Sequence, residues 1–299
     1  MSTQPTPTDS INFDFLPRDE YVEQAHLYQL LRERAKESIP IQELLDQLQH
    51  EILATTKLPL AMDYLLTEVK HSGMMAPAMY KLRHYFTDFQ AYLVSESEEE
   101  SGRFLMQTAL QVLEADAKYR TEGVTPQGMF FFQFEVLCRN RLSYDRGLTA
   151  ISNDPIYNSD WAKWILELRA QIGLVDFADL LFLKSEEYKK RLIDAGESIN
   201  AKGPWLFGEK EGRIAIANRK KEPLYLFGAM QRHLGYPSVP RPEKRNDELE
   251  LIPQMARRIE RLEARLKIME DENRGGMDIT RFYEKNKSKR EFKLPDLPE

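Results

Sequence analysis

Apolar residues recur at helical spacing through the first half of the chain. Four stripes follow the pattern i, i+3, i+4, i+7 or a close variant, at 27–35, 41–52, 62–69 and 82–93. Such spacing places apolar side chains on one face of an amphipathic helix. Consecutive helices with short connections pack as antiparallel neighbours. The pattern predicts an antiparallel helical domain over 17–142, after a disordered, Ser/Thr/Pro-rich N-terminus over 1–16.

Local signals predict where several of these helices begin and end. Gly73 follows an apolar stripe directly and is typical of a helix stop. Thr125 and Pro126 fit the N-cap and N1 positions of a helix with a wide apolar face, which we expect to be central and buried. Ser97 and Glu100 match a capping box within "SESEEES", which favours a helix start there over a cation site.

The pattern changes at about residue 143, where turn-forming residues interrupt it. A helix with Trp161 and Trp164 on one face is predicted to end at Gly173. The segment 174–195 reads either as one helix or as a buried strand followed by a helix, and the lack of β-branched residues in "LLFL" favours the helix. Pro223 and Gly235 fit the first position and the C′ position of a further helix.

A β-hairpin is predicted over 204–218, in "PWLFGEKEGRIAIAN". Ile214 and Ile216 alternate with smaller residues, Trp205 and Phe207 alternate on the partner run, and "GEKEG" provides a glycine-bearing turn. A lone hairpin is only marginally stable, so its apolar face should dock on helices. Residues 143–235 are therefore expected to form a small α+β part.

The most regular pattern lies near the C-terminus, after a proline-spaced linker over 236–250. Apolar residues stand at Ile252, Met255, Ile259, Leu262, Leu266 and Met269, with spacings of 3, 4, 3, 4 and 3. This is the a/d seam of a heptad repeat, and it predicts a short coiled coil over 251–273. A basic tail over 274–299 follows, which we expect to be disordered.

The charges beside this seam predict its partner and its orientation. Arg258 and Arg265 fall at g positions, and Glu263 and Glu270 at e positions, so both g–e′ pairs attract in a parallel dimer. Ile at a with Leu at d also favours two strands. The alternative is a helix that packs its stripe on the chain's own body or on a different partner.

Composition limits the classes of function that remain. The net charge of −6 argues against bulk affinity for nucleic acid. The single cysteine, Cys138, excludes an internal disulfide framework, suits a reducing compartment and is expected to be a core residue rather than a nucleophile. No apolar run approaches the roughly 18 residues that span a bilayer, and the N-terminus has no signal-peptide pattern, so a cytoplasmic location is expected.

Motifs for catalysis, metals and cofactors are absent from the sequence. It contains no Walker, dinucleotide-binding, zinc-protease or nucleophile-elbow motif, and its histidines lack ligand spacing. We therefore predict no cofactor, no metal and no catalytic residues. Asp176 and Asp179 share a helical face, and a helix cap explains them better than acid–base chemistry.

A local basic cluster is the remaining candidate for a contact site. Arg213, Arg219, Lys220 and Lys221 could bind a polyanion together, although neighbouring glutamates would neutralise much of their charge. The sequence favours a non-enzymatic, self-associating scaffold or adaptor with an unknown protein partner. One alternative is a nucleic-acid or acidic-partner binding module that uses this cluster and the tail. A second is an enzyme with a site between "SNDP", Asp176, Asp179 and the hairpin.

Overall fold

Helices account for the regular structure of this protein. The computed structural model describes residues 16–35, 39–99, 104–196, 203–240 and 255–270, the last range without 257 and 268. Within these ranges, thirteen helices precede the linker: α1 (Arg18–Arg34), α2 (Ile41–Leu48), α3 (Leu58–Ser72), α4 (Ala76–Lys81), α5 (Asp88–Glu98), α6 (Met106–Thr121), α7 (Pro126–Asn140), α8 (Tyr144–Ser152), α9 (Ser159–Gln171), α10 (Phe177–Leu183), α11 (Glu186–Asp194), α12 (Glu209–Ala217) and α13 (Pro223–Leu234). A last helix, α14, has helical residues at 255–256, 258–267 and 269–270.

The predicted mainly helical fold is confirmed, and several predicted helix ends are correct. Thr125 accepts a hydrogen bond from Gly128 N at the start of α7, and Pro126 occupies its first turn. Gly73 and Gly235 end α3 and α13 in the left-handed region, at φ of 71° and 72°. Glycine adopts this conformation without the steric cost that a Cβ brings.

Helices α1, α5, α6 and α8 pack side by side in alternating directions. Arg18 near one end of α1 donates to Thr121 O, whereas Arg32 near the other end pairs with Glu114, so α1 and α6 are antiparallel. Gln90 contacts Asp116, and Ser97 contacts Met106, which gives the same relation between α5 and α6.

Helix α7 carries the aromatic centre of the molecule, as its wide apolar face predicts. Phe130, Phe131 and Phe134 are all buried on it. Their rings pack against aromatic side chains from later elements, namely Trp161, Trp164, Phe177, Phe207, Phe227 and Tyr236. The cluster of buried apolar residues runs from Ala25 to Val239 without a break at 142/143, so the two predicted parts share one core.

The predicted hairpin is wrong, because residues 209–217 form α12. Glu209 and Glu211 lie in its first turn, where the helix dipole favours acidic side chains. Its small residues Gly212 and Ala215, three positions apart, are buried. A Cβ on Gly212 would lie 2.3 Å from Ser185 Oγ, so close helix packing requires glycine there. The predicted α+β part thus consists, in its described residues, of helices joined by turns and loops, with isolated bridges such as Ser185 with Phe207 in place of strands.

Three further expectations need correction. The stripe at 82–93 is not one helix: α4 ends at Lys81, and α5 begins after Thr87, which forms a capping box with Gln90. Ser97 lies in the last turn of α5 rather than at a helix start. The segment 174–195 is helical but divided, because Ser185 caps α11 and separates it from α10.

The predicted linker over 236–250 is partly packed. Tyr236 is buried, and its hydroxyl bonds both to Glu135 Oε2 on α7, at 2.7 Å, and to Phe227 O on α13, at 3.0 Å. Burial raises the pKa of this hydroxyl well above its ordinary value. Linker residues 241–250, residues 1–15 and the tail after residue 270 lie outside the described residues.

Candidate functional site

The apolar stripe of α14 is exposed. Met255, Ile259, Leu262, Leu266 and Met269 keep between 50% and 57% of their surface accessible. Isolated exposed apolar residues are common, whereas five in one stripe at heptad spacing form a candidate interaction surface. We call these five residues the seam. Among the residues that the structure describes, the body does not cover the seam, although packing on the body was one alternative for this helix.

The opposite face of α14 packs against the body. In the heptad numbering Arg261 is at c and Ala264 at f, away from a and d. Ala264 is only 7% exposed, and Arg261 lies against Gly73 at the end of α3. A Cβ on Gly73 would lie 3.1 Å from Arg261 Cα, so the two backbones approach closely. The helix is therefore held on one side and open on the other.

The four charged residues that flank the seam are exposed. Arg258, Arg265, Glu263 and Glu270 all remain accessible to solvent. Two basic residues lie at g and two acidic residues at e, one heptad apart. They are free to meet opposite charges on a partner helix.

Two residues of the basic cluster, Arg213 and Arg219, pair with nearby carboxylates. Arg213 pairs with Glu187 at 3.1 Å and with Glu209 in its own helix. Arg219 pairs with Asp179 at 2.5 Å. Of these partners, Glu209 is one of the neighbouring glutamates that the sequence suggested, whereas Glu187 and Asp179 come from α11 and α10. This pairing weighs against strong attraction of a polyanion.

Asp176 and Asp179 act in helix capping and ion pairing. Asp176 is the N-cap of α10 and accepts from Ala178 N at 3.0 Å, as predicted, and its second oxygen accepts from Lys220 N at 2.6 Å. Asp154 of "SNDP" does not join them, because it is buried with Arg120 in another part of the core. The residues of the predicted enzyme site are therefore not brought together as a group.

Cys138 lies half-buried on α7 at the wall of a cavity of about 280 Å³. The cavity is lined by residues of α7, α8, the α9–α10 connection, α10, the α12–α13 turn and α13. Tyr144 donates a hydrogen bond to Cys138 Sγ at 3.6 Å, and burial raises the pKa of the thiol to about 12. A thiol of this kind is almost entirely protonated near neutral pH and is a poor nucleophile. The sequence placed Cys138 in the core but gave no sign of the cavity.

Within the described ranges, no group of three or more His, Cys, Asp or Glu side chains is arranged to hold a metal ion. No described helix is both long enough and apolar enough to cross a membrane. Comparison with protein-family models, with curated proteins and with solved structures finds no match for this chain.

Proposed function

We propose that this protein is a non-enzymatic scaffold or adaptor that associates with a second copy of itself through the seam of α14. The exposure of the seam, on a helix whose other face is docked, is the observation that carries the proposal. A partner helix would remove the five apolar side chains from water without displacing α14 from the body. We propose that the protein associates in the cytoplasm, the location expected from the sequence.

Charge complementarity supports a second copy as the partner. In a parallel pair, Arg258 faces Glu263 of the other copy, and Arg265 faces Glu270 in the same way. In an antiparallel pair, g faces g and e faces e, so arginines would face arginines and glutamates would face glutamates. Like charges placed opposite each other disfavour that arrangement. The pattern therefore favours a parallel dimer over an antiparallel one.

The described part of α14 is short, with little more than two heptads, so the helix alone supplies a modest interface. We expect association at micromolar rather than nanomolar concentration. In such a dimer, the paired α14 helices would hold two copies of the helical body together. This arrangement suits a scaffold that brings an unknown protein partner together with a second copy of the same partner.

Charge reversal in complementary pairs tests the parallel dimer. One variant carries Arg258→Glu and Arg265→Glu, and the other carries Glu263→Arg and Glu270→Arg. Each variant alone places like charges at every g–e′ contact and should be mostly monomeric where the wild type is dimeric. An equimolar mixture restores attraction at every contact and should form the heterodimer.

Masses from light scattering at 0.15 M salt give the readout, and Lys267→Glu is the matched control. Lys267 lies on the same helix at b, outside the seam and its flanks, so its reversal should leave the mass of the dimer unchanged. Equal masses for the wild type and both double variants would contradict a dimer held in this register.

A further inference from the structure

The cavity beside Cys138 has the composition of a binding site for a small aromatic molecule. Its walls include the rings of Phe134, Tyr144 and Phe177 and the side chains of Leu180 and Leu226. The centroids of Phe134 and Phe177 are 4.7 Å apart, and those of Phe134 and Tyr144 are 6.1 Å apart. Ligand pockets typically combine such apolar walls with a few polar groups.

The size of the cavity fits one or two aromatic rings. Its volume of about 280 Å³ lies near the lower end of the range for ligand pockets, roughly 300 Å³ and above. In T4 lysozyme, a standard example of a dry engineered cavity, about 150 Å³ admits benzene. A fused two-ring system would therefore occupy this cavity together with part of its opening.

Polar groups in the lining already have partners, with one exception. Both carboxylate oxygens of Asp176 accept backbone N–H groups, and the Asn218 side chain donates to Ile214 O. Tyr144 donates to Cys138. The ammonium of Lys221, an exposed residue at the α12–α13 turn, has no ion pair among the described residues. The lining thus holds one carboxylate whose oxygens are occupied by backbone N–H groups and one exposed ammonium, and the ammonium is the charged group left available to a ligand.

The mouth of the cavity is also apolar. Tyr144 and Val175 line the cavity and are 39% and 45% exposed, and the neighbouring Leu174 is 83% exposed. An aromatic ligand would cover part of this surface as well as fill the interior, so its burial would be favourable at both places.

We propose that this cavity binds a small aromatic carboxylate, with its rings against the side chains of Phe134, Tyr144 and Phe177 and its carboxylate beside Lys221. The rings are held by apolar burial and by contact with aromatic faces. The carboxylate meets the ammonium of Lys221 at the solvent edge, where neither group loses its hydration. This site lies in the helical body and is independent of the seam.

Three probes of equal size and different charge test the proposal on the full chain. They are 2-naphthoate, neutral 2-naphthylmethanol and cationic 2-naphthylmethylammonium, each followed by saturation-transfer NMR. We expect 2-naphthoate to bind best, the neutral probe more weakly and the cationic probe least. Binding should also slow the alkylation of Cys138 at pH 9. Because the chain has one cysteine, the rate of alkylation reports whether this cavity is occupied.

Two variants test where the carboxylate and the rings of the probe bind, and a third variant is the control. Lys221→Glu should weaken 2-naphthoate about tenfold, as expected for reversal of an exposed charge contact. Lys210→Glu, at an exposed position that does not line the cavity, should have little effect. Ala178→Leu should reduce binding of all three probes by filling the cavity. If this variant does not fold, the affinities of Lys221→Glu and Lys210→Glu for 2-naphthoate still test whether the probe binds beside Lys221.

Leu262→Arg separates this proposal from the proposed function, because it alters the seam and should leave probe binding unchanged. The proposal would be overturned by absence of binding for all three probes up to their solubility limits. Binding without protection of Cys138, or equal affinity for the anionic and cationic probes, would overturn it as well.

Discussion

Arg120 lies between two carboxylates in the interior, where charge is costly. Its guanidinium contacts Asp116 at 2.9 Å and Asp154 at 2.5 Å, and the three side chains are at most 1% exposed. Gln90 and Gln133 donate to the same two carboxylates. Removing charged groups from water costs several kcal/mol per ion unless partners satisfy them, and here the partners are present. The network joins α5, α6, α7 and the turn after α8.

Replacement of Arg120 by methionine should therefore be strongly destabilising. It leaves two carboxylates buried without their counter-ion, and we expect the free energy of unfolding to fall by about 3–5 kcal/mol. Arg146→Met is the control, since Arg146 pairs with Glu99 at 2.7 Å on the surface and should contribute less than about 1 kcal/mol. Urea denaturation of the two variants and the wild type measures both effects.

The deficit of Arg120→Met should depend on pH. Burial raises the pKa of Asp116, and the neighbouring guanidinium lowers it. Without Arg120, the folded-state pKa of this carboxyl rises further above its unfolded value, so its buried charge is relieved as pH falls through that pKa. The gap in stability between wild type and variant should be smaller at pH 5 than at pH 7. A gap that is constant or grows at pH 5 would show that the carboxylates are not the cause.

At the scale of elements, two helix-ending glycines form a natural matched pair. Gly73 and Gly235 have nearly the same positive φ, but only Gly73 lies against another helix. Alanine at either position incurs the same left-handed strain of about 1–2 kcal/mol. At Gly73 the added Cβ also meets Arg261 of α14, whereas at Gly235 no atom lies within 4 Å.

Gly73→Ala should therefore loosen α14 specifically. Hydrogen exchange of residues 255–270 should be faster in Gly73→Ala than in the wild type, because the docked backbone must move away from the new methyl group. In Gly235→Ala the exchange of this helix should stay at the wild-type rate while the global stability falls by a similar amount. Equal protection of α14 in both variants would refute the docking seen at Gly73.

The sequence allowed helix ends to be predicted where one residue determines the backbone. Thr125 with Pro126, Gly73 and Asp176 each act through local geometry, so their roles can be read without tertiary information. The segment 209–217 could not be settled in this way, because a four-residue alternation such as "RIAI" is too short to distinguish a strand from a helix. The acids Glu209 and Glu211 just after Gly208 were the available signal for a helix start.

The seam illustrates a different limit. Its heptad spacing could be read from the sequence, but whether the stripe packs on the body or is left for a partner could not, because either arrangement would bury apolar surface in the end. The exposure of the seam depends on a distant contact, between Arg261 and Gly73, which lie 188 positions apart in the chain. The cavity beside Cys138 depends in the same way on segments from four helices and two connections between helices.

At the scale of the whole molecule, the helical body and the seam differ in how their apolar side chains are covered. The body has a continuous apolar core, which does not require a partner to bury it. The seam is an apolar surface that remains in water while the chain is alone. In the proposed dimer, α14 would remove this surface from water and leave the body, with its cavity, accessible on each copy.

The mass of the full chain in solution tests this account most directly. Light scattering at tens of micromolar should give twice 35.0 kDa for the wild type, and Leu262→Arg should shift the mass toward 35.0 kDa by placing a charge in the seam. Leu60→Arg, at a leucine on α3 that is 73% exposed and outside the seam, should remain dimeric. A wild-type mass of 35.0 kDa at these concentrations would contradict self-association through the seam.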